Sequence, residues 1–321
     1  KGLSYRSVDR GASWTFAGSF SGNERLADRP TFWVDSSPSS SFRDSLYATW
    51  HNGPVFVTRR RKGAAQWSAP VRVSPLDTQG FGGDLKIDSS GRLFVFWPDS
   101  VRKKIFVTTS NNGGVSFGPP IPVAALERPL FQLIVPSAGN RAPSLYVTSA
   151  VLRSGGVSRA FIAWMDLAKA PQTGARIWFS ASSNGGATWS APREVRPTAA
   201  PNVDQFHPSL VIDATSRRLA LAYTDNLADP SGRKTRRVGI TSNDLGNTWS
   251  APFVISTAAS DVFTEPEQIH GDYQSMFALG PRLWTVWTDR RSAAASSVWL
   301  AELRMTANGL VRVPIEAEAA K

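Results

Sequence analysis

A small set of residues in this chain has the types and spacing to act on a charged substrate. Asp28-Arg29, Asp272-Tyr273 and Arg290-Arg291 are adjacent pairs that carry carboxylate, phenol and guanidinium groups. His207 adds an imidazole, and Glu265 and Glu267 stand close together between Ser256 and His270, a stretch that reads as a long connecting loop. Several arginines around one opening would grip carboxylates or sulfates through paired hydrogen bonds. Basic clusters at Arg102-Lys103-Lys104 and from Arg233 to Arg237 point the same way, although each reads equally well as a solvated loop. Other chemistries lack their residues. The chain has no Cys, no His-Glu-x-x-His, no EF-hand loop, no P-loop and no Gly-x-Ser-x-Gly. The histidines His51, His207 and His270 are scattered, and a metal held by all three is a minor alternative to a site that needs no cofactor.

The elements that must position these residues are set by a repeat. Ser7-x-Asp9-x-Gly11-x-x-Trp14 returns as Ser110, Asn112, Gly114, Phe117, then as Ser182, Asn184, Gly186, Trp189, and finally as Ser242, Asp244, Gly246, Trp249. Asp or Asn in a tight turn accepts hydrogen bonds from nearby backbone N–H groups, and Gly permits positive φ. The aromatic residue folds back as an apolar anchor. Around each turn lie four short β-type runs, here termed a, b, c and d, with the motif as the c–d turn. His207–Asp213, Arg218–Asp225, Arg237–Ser242 and Trp249–Ile255 make up one such unit. Another unit carries a degenerate turn at Arg60, Lys62, Ala64 and Trp67. Four strands per roughly 40–50 residues is the length of a propeller blade, and no window carries a helical period.

The expectation is therefore a single all-β domain over residues 1–321, a β-propeller of four-stranded antiparallel blades. Six blades is the preferred count and five the alternative, because residues 1–20 supply only a lone outer hairpin. That hairpin either closes a blade begun by the C-terminal end or belongs to a blade whose inner strands precede Lys1. In a propeller, residues just before strand a and just after strand b surround the mouth. An aromatic-x-Asp string follows strand b at Asp99, Asp166, Asp225 and Asp289, and this regular member reads as turn capping. The irregular residues Asp28, Arg29, His207, Asp272, Tyr273, Arg290 and Arg291 are then the candidates for function.

Composition bounds the partners. With 36 Lys+Arg against 25 Asp+Glu the chain carries +11, which favours an anionic partner. Nucleic acid is disfavoured, since basic stretches interleaved with aromatics are missing. No run approaches the ~18 apolar residues of a membrane span. The lack of an initiator Met and of a signal peptide suggests a processed chain, expected to be exported, secreted or periplasmic, and the absence of cysteine does not fix the compartment. Oligomeric state is left open.

The repeated Ser-x-Asp-x-Gly-x-x-Trp turn resembles the Asp-box, or BNR repeat, of the sialidase superfamily, and the strings Gly271-Asp272-Tyr273 and Trp287-Thr288-Asp289-Arg290 resemble bacterial exported sialidase-like proteins. The resemblance implies a six-bladed propeller and an exo-glycosidase acting on anionic glycans. It casts Tyr273 as nucleophile, Glu267 or Glu265 as the group that takes its proton, and Asp28 or Asp84 as acid/base. Arg29, Arg290 and Arg291 become carboxylate ligands, with His207 and Asp272 beside the substrate. The family's Phe/Tyr-Arg-Ile-Pro segment has Asp28-Arg29-Pro30 as its nearest counterpart here. The competing expectation is a non-catalytic module, either a lectin-like glycan binder or a propeller that docks a protein.

Overall fold

The computed structural model describes residues 1–24, 26–127, 135–139, 143–168, 174–198, 203–264, 270–291 and 297–313. The four turn motifs build themselves as their residue types require. In the first, Ser7 Oγ donates to Asp9 Oδ1 at 2.7 Å and accepts from the Gly11 N–H at 2.7 Å. Asp9 Oδ1 also accepts from the Ser13 N–H, four residues on, so the aspartate spans more of the turn than the short local bonds expected of it. The fourth copy repeats the pattern, with Ser242 Oγ to Asp244 Oδ1 at 2.8 Å and the Thr248 N–H to Asp244 Oδ1 at 2.8 Å. Gly246 sits at φ +91°, and a β-carbon there would fall 2.4 Å from the Phe179 ring.

Chain contacts divide the molecule into two compact units. The first holds residues 1–130, 151–161 and 180–191, and the second holds 131–150, 162–179 and 192–321. The first unit contains the hairpin of β1 (Leu3–Arg6) and β2 (Thr15–Ser19). It also contains the sheet of β3 (Asp28–Val34), β4 (Leu46–His51), β5 (Val55–Arg60) and β6 (Val71–Arg72), and that of β7 (Asp84–Ile87), β8 (Leu93–Asp99), β9 (Lys104–Ser110) and β10 (Ile121–Ala125). A fourth sheet orders β11 (Val147–Ser154), β12 (Val157–Leu167), β13 (Ala175–Ser182) and β14 (Arg193–Glu194), and the chain passes between the units within its first three strands. The second unit adds β15 (Gln205–Asp213), β16 (Arg218–Asp225), β17 (Arg236–Ser242) and β18 (Phe253–Val254). Its last sheet comprises β19 (Ser275–Leu279), β20 (Arg282–Asp289), β21 (Ser297–Thr306) and β22 (Gly309–Arg312).

The chain is an all-β propeller of six antiparallel sheets in sequence order, five of four strands and one, the first, of two. Six blades is the expected count, with the first represented by its hairpin. Among the described residues the helical content is two short 3₁₀ turns, Pro136–Ala138 and Val262–Thr264, and no helix is long and apolar enough to cross a membrane. That statement does not bear on membrane β-barrels.

Burial follows sheet position. All seven residues of β8 are buried, as are seven of the eight in β16, so both faces of these strands are covered. In β20 burial alternates through Leu283, Thr285, Trp287 and Asp289, the signature of a sheet with one covered face. The turn aromatics pack across neighbouring strands. Trp67 meets Phe20 edge-on at 6.3 Å, Trp189 meets Phe96 at 5.8 Å and Trp249 meets Phe179 at 5.5 Å. Such pairs add about 0.5–1.5 kcal/mol beyond their buried area. Trp14, on the hairpin, is 63% exposed.

Candidate functional site

Register separates the two ends of the β15–β18 sheet. At one end Gln205 pairs with Asp225 and Asp225 with Arg236, while at the other Leu219 pairs with Ser242, where the turn motif begins. The turn that organises the sheet therefore lies opposite the end that carries His207, Asp225 and Arg237. A register shift between Phe206 and Ser209 breaks the β15–β16 ladder, and His207 there takes φ +53°. The β3–β4 ladder breaks in the same way between Asp28 and Thr31, with Arg29 at φ +47°. Both residues precede a proline, and a bulge of this kind re-aims a side chain at the cost of a sparsely populated backbone conformation. The two irregular strings flagged in the sequence are thus one structural device used in two sheets.

In the second unit the structure gathers a polar cluster. Asp272 is 7% exposed, and its Oδ2 accepts from the Tyr146 hydroxyl at 2.9 Å and from Ser144 Oγ at 3.4 Å. Tyr273 is 59% exposed and its ring centroid lies 6.5 Å from that of Tyr146, so a solvent-facing phenol stands on a ledge whose second ring is tied to a buried carboxylate. Gly271 cannot be larger, because a β-carbon would meet Thr288 Oγ1 at 2.5 Å. Behind Asp272, the His207 and His270 rings sit 5.5 Å apart, and Phe206 contacts both edge-on. His270 Nδ1 is 3.1 Å from the Gly271 carbonyl, which makes Nδ1 the protonated nitrogen. Burial holds the His270 pKa below the usual histidine value, a shift that the Gly271 carbonyl, Asp289 and Asp272 oppose and the Arg237 charge reinforces.

Arg237 is the residue that the sequence did not single out. Its guanidinium is fully buried, with Nη1 donating to the His207 carbonyl at 2.7 Å and Nη2 to Ser209 Oγ at 3.0 Å. Among the described residues it bonds no carboxylate and its Nε finds no acceptor, and burial pushes its pKa down to about 9. Arg176, also the second residue of its strand, is equally buried and bonds the Val203 and Ala175 carbonyls. Grouped with its neighbours from Arg233 onward, Arg237 reads as surface charge. The signal in the sequence was its place one residue inside a strand.

The other candidates have defined places. The repeated aspartates cap turns: Asp99 accepts from the Val101 and Arg102 N–H groups and Asp289 from the Arg291 N–H. Arg291 is bound by Asp289 at 2.7 Å and by Thr257 at 2.6 Å, and it lies over the Trp299 ring at 3.6 Å. The Arg290 backbone N–H donates to Ser260 Oγ, and burial lowers its guanidinium pKa. Glu265 and Glu267 lie outside the described residues.

In the first unit Asp28 and Arg29 form a second group around His51, and Asp84 stands at the start of β7. Asp28 Oδ2 lies 3.7 Å from His51 Nε2, and His51 Nδ1 accepts from the Gly82 N–H at 2.9 Å, so the imidazole proton faces Asp28. Burial lowers the His51 pKa despite that carboxylate. Arg29 lies over Gly82, where a β-carbon would come within 2.8 Å of its Cδ. Asp84 accepts from Lys86 Nζ at 2.5 Å, and Lys86 rests 4.5 Å above the Trp33 ring. His51 belongs to this group and His207 and His270 to the other, and no three metal-ligating side chains converge among the described residues.

No family model matches this chain, and no curated protein matches it in sequence. Solved structures do match in fold. An α-L-arabinofuranosidase of Fusarium graminearum, in complex with arabinobiose, superposes with a TM-score of 0.54 at 10% identity, over 97% of this chain and 84% of that one. An α-L-arabinanase of Penicillium chrysogenum gives 0.50 at 12% identity, over 97% and 84%. A sialidase of Streptococcus pneumoniae gives 0.44 at 14% identity, over 80% of this chain and 35% of that one, a likeness too loose to argue from. At these identities the similarity speaks to the propeller fold alone.

Proposed function

We propose that this chain is a carbohydrate-active propeller directed at anionic glycans, acting as a sialidase-like exo-glycosidase with Tyr273 as its nucleophile. The observation that carries this reading is the exposed Tyr273 phenol beside Tyr146, whose hydroxyl is held by the buried Asp272. Paired aromatic rings offer a stacking ledge for a sugar, and the polar cluster behind them offers directional bonds. In such a reaction Tyr273 Oη attacks the anomeric carbon, the glycosidic bond breaks and Glu267 or Glu265 takes the phenol proton. The departing oxygen takes a proton from water, the hydroxide so formed cleaves the glycosyl–Tyr273 bond, and the glutamic acid returns the proton to the phenolate. Support for a charged substrate comes from the net charge of +11. Assignment of the four turns to Asp-boxes, and an exported location where glycans are met, belong to the same reading. A second reading, glycan binding without hydrolysis, is favoured by the engagement of Arg291 with Asp289, which takes up a guanidinium that a carboxylate substrate would need.

The test pairs two assays. Release of fluorophore from an α-sialoside by the wild-type chain, lost in Tyr273→Phe, would support the glycosidase. Retention on an acidic-glycan array without any release would support the binding reading, and the absence of both release and retention would sink both readings.

A further inference from the structure

The fourth turn differs from the first and third copies in one hydrogen bond, and shares with the second, where Arg59 Nη1 donates to the Gly114 carbonyl at 2.7 Å, an arginine on the turn carbonyl. In the first and third copies the indole N–H donates to the carbonyl of the turn glycine, Trp14 to Gly11 at 3.1 Å and Trp189 to Gly186 at 3.1 Å. In the fourth, the guanidinium of Arg193, from β14, takes the Gly246 carbonyl. The Trp249 Nε1–H is left buried with no acceptor among the described residues. A buried donor in that condition destabilises its surroundings, and a rearrangement that restores its acceptor is favoured.

Both residues line a groove of about 440 Å³ between Arg193–Pro197 and Asn247–Pro252. The volume lies within the range of small-ligand sites. Volume alone does not mark the place. A groove of about 400 Å³ in the first unit holds Trp14 and Trp67, yet their indoles donate to the Gly11 carbonyl and to Ser4 Oγ. The groove at Trp249 has the unmet donor and an excess of positive charge, Arg193 and Arg196 against Glu194. Arg196 faces inward to Tyr223 and Asp225, whereas Arg193 is exposed and held by the Gly246 carbonyl and a contact 5.6 Å above the Phe179 ring.

We propose that this groove is an acidic-sugar subsite in which Arg193 exchanges partners. A sugar carboxylate captures the Arg193 guanidinium, the freed Gly246 carbonyl accepts the Trp249 N–H as in the first and third turns, and the indole and Pro252 floor the sugar ring. Ligand capture and satisfaction of a buried donor are thereby one event, so each strengthens the other. Trp249 follows the end of β17 opposite Arg237, so the subsite stands apart from the Tyr273 cluster. Only the class of ligand rests on the glycan reading above.

The test follows the indole ¹H–¹⁵N resonances of the full chain during titration with 3′-sialyllactose, with lactose and inorganic sulfate as controls. One signal, assigned to Trp249 by its loss in Trp249→Phe, moves saturably with sialyllactose and with neither control. Phe117 fills this position in the second copy, so Trp249→Phe keeps the fold, and an unchanged thermal midpoint verifies it. By calorimetry Arg193→Gln weakens binding at least about tenfold and Trp249→Phe by roughly five- to tenfold, the effect of one to two hydrogen bonds. The saturation of the Trp249 signal reports this groove and not the Tyr273 cluster, so failure of the hydrolase reading does not touch this one. A Trp249 signal that stays still at saturating sialyllactose, or moves equally with lactose or sulfate, overturns the proposal. Wild-type affinity in Arg193→Gln does the same.

Discussion

Asp225 shows how burial sets chemistry at single residues. It lies 4% exposed at the end of β16, and burial raises its pKa to about 6, against the opposing pull of the Leu227 N–H and Arg196. An unfolded chain releases that proton near pH 4. Between about pH 4 and pH 6 the folded protein therefore holds a proton that the unfolded chain lacks, and stability falls as pH rises through that window. Asp225→Asn keeps an acceptor for Leu227 and removes the slope. Its thermal midpoint relative to wild type should climb between pH 4 and pH 7, by the equivalent of up to roughly 3 kcal/mol, and a flat difference would refute the assignment. The same physics explains what the sequence could reveal. Asp289 and Asp99 were readable as turn caps because their bonds are local, and Tyr273 and Arg29 stood out by breaking the repeat. Arg237 did not stand out, because its charge names a surface residue and only the packed fold reveals its burial. Ser144 and Tyr146, in the stretch before β11, reach Asp272 from 128 and 126 positions away in the sequence, and no local pattern encodes that meeting.

For the strands and turns, the motif acts as a pin for hairpins. Each glycine of the motif takes positive φ, and Gly246 also lies against the Phe179 ring. Gly246→Ala should cost about 2–4 kcal/mol, combining backbone strain with a clash. Asp244→Ala, which removes the bonds to Ser242 and Thr248, should cost about 1 kcal/mol. Urea unfolding of both variants measures this, and a larger loss for Asp244→Ala than for Gly246→Ala would contradict the ranking. The turns, strand order and blade length were legible because they repeat. The bulges that put Arg29 and His207 at positive φ were legible only as irregular strings before proline, since the register shift itself depends on the partner strand.

At the scale of the whole molecule, the net charge is what supports the proposed anionic glycan. With a net charge of +11, association with an acidic oligosaccharide should weaken steadily between 50 and 500 mM NaCl, while any binding of a neutral arabino-oligosaccharide should not. Calorimetric titration across that salt range distinguishes them, and an equal salt response would mean that charge does not select the ligand. Propeller architecture alone leaves the reaction open, because one fold carries many chemistries. The decisive residue is then Tyr273, exposed beside Tyr146 and Asp272. The most direct measurement is the rate of fluorophore release from an α-sialoside by wild type and by Tyr273→Phe, with glycan-array retention recorded for both. Turnover by the wild type that falls at least about a thousandfold in the variant, with retention intact, is the expected result. Equal turnover by the two, or no turnover and no retention by the wild type, would contradict it.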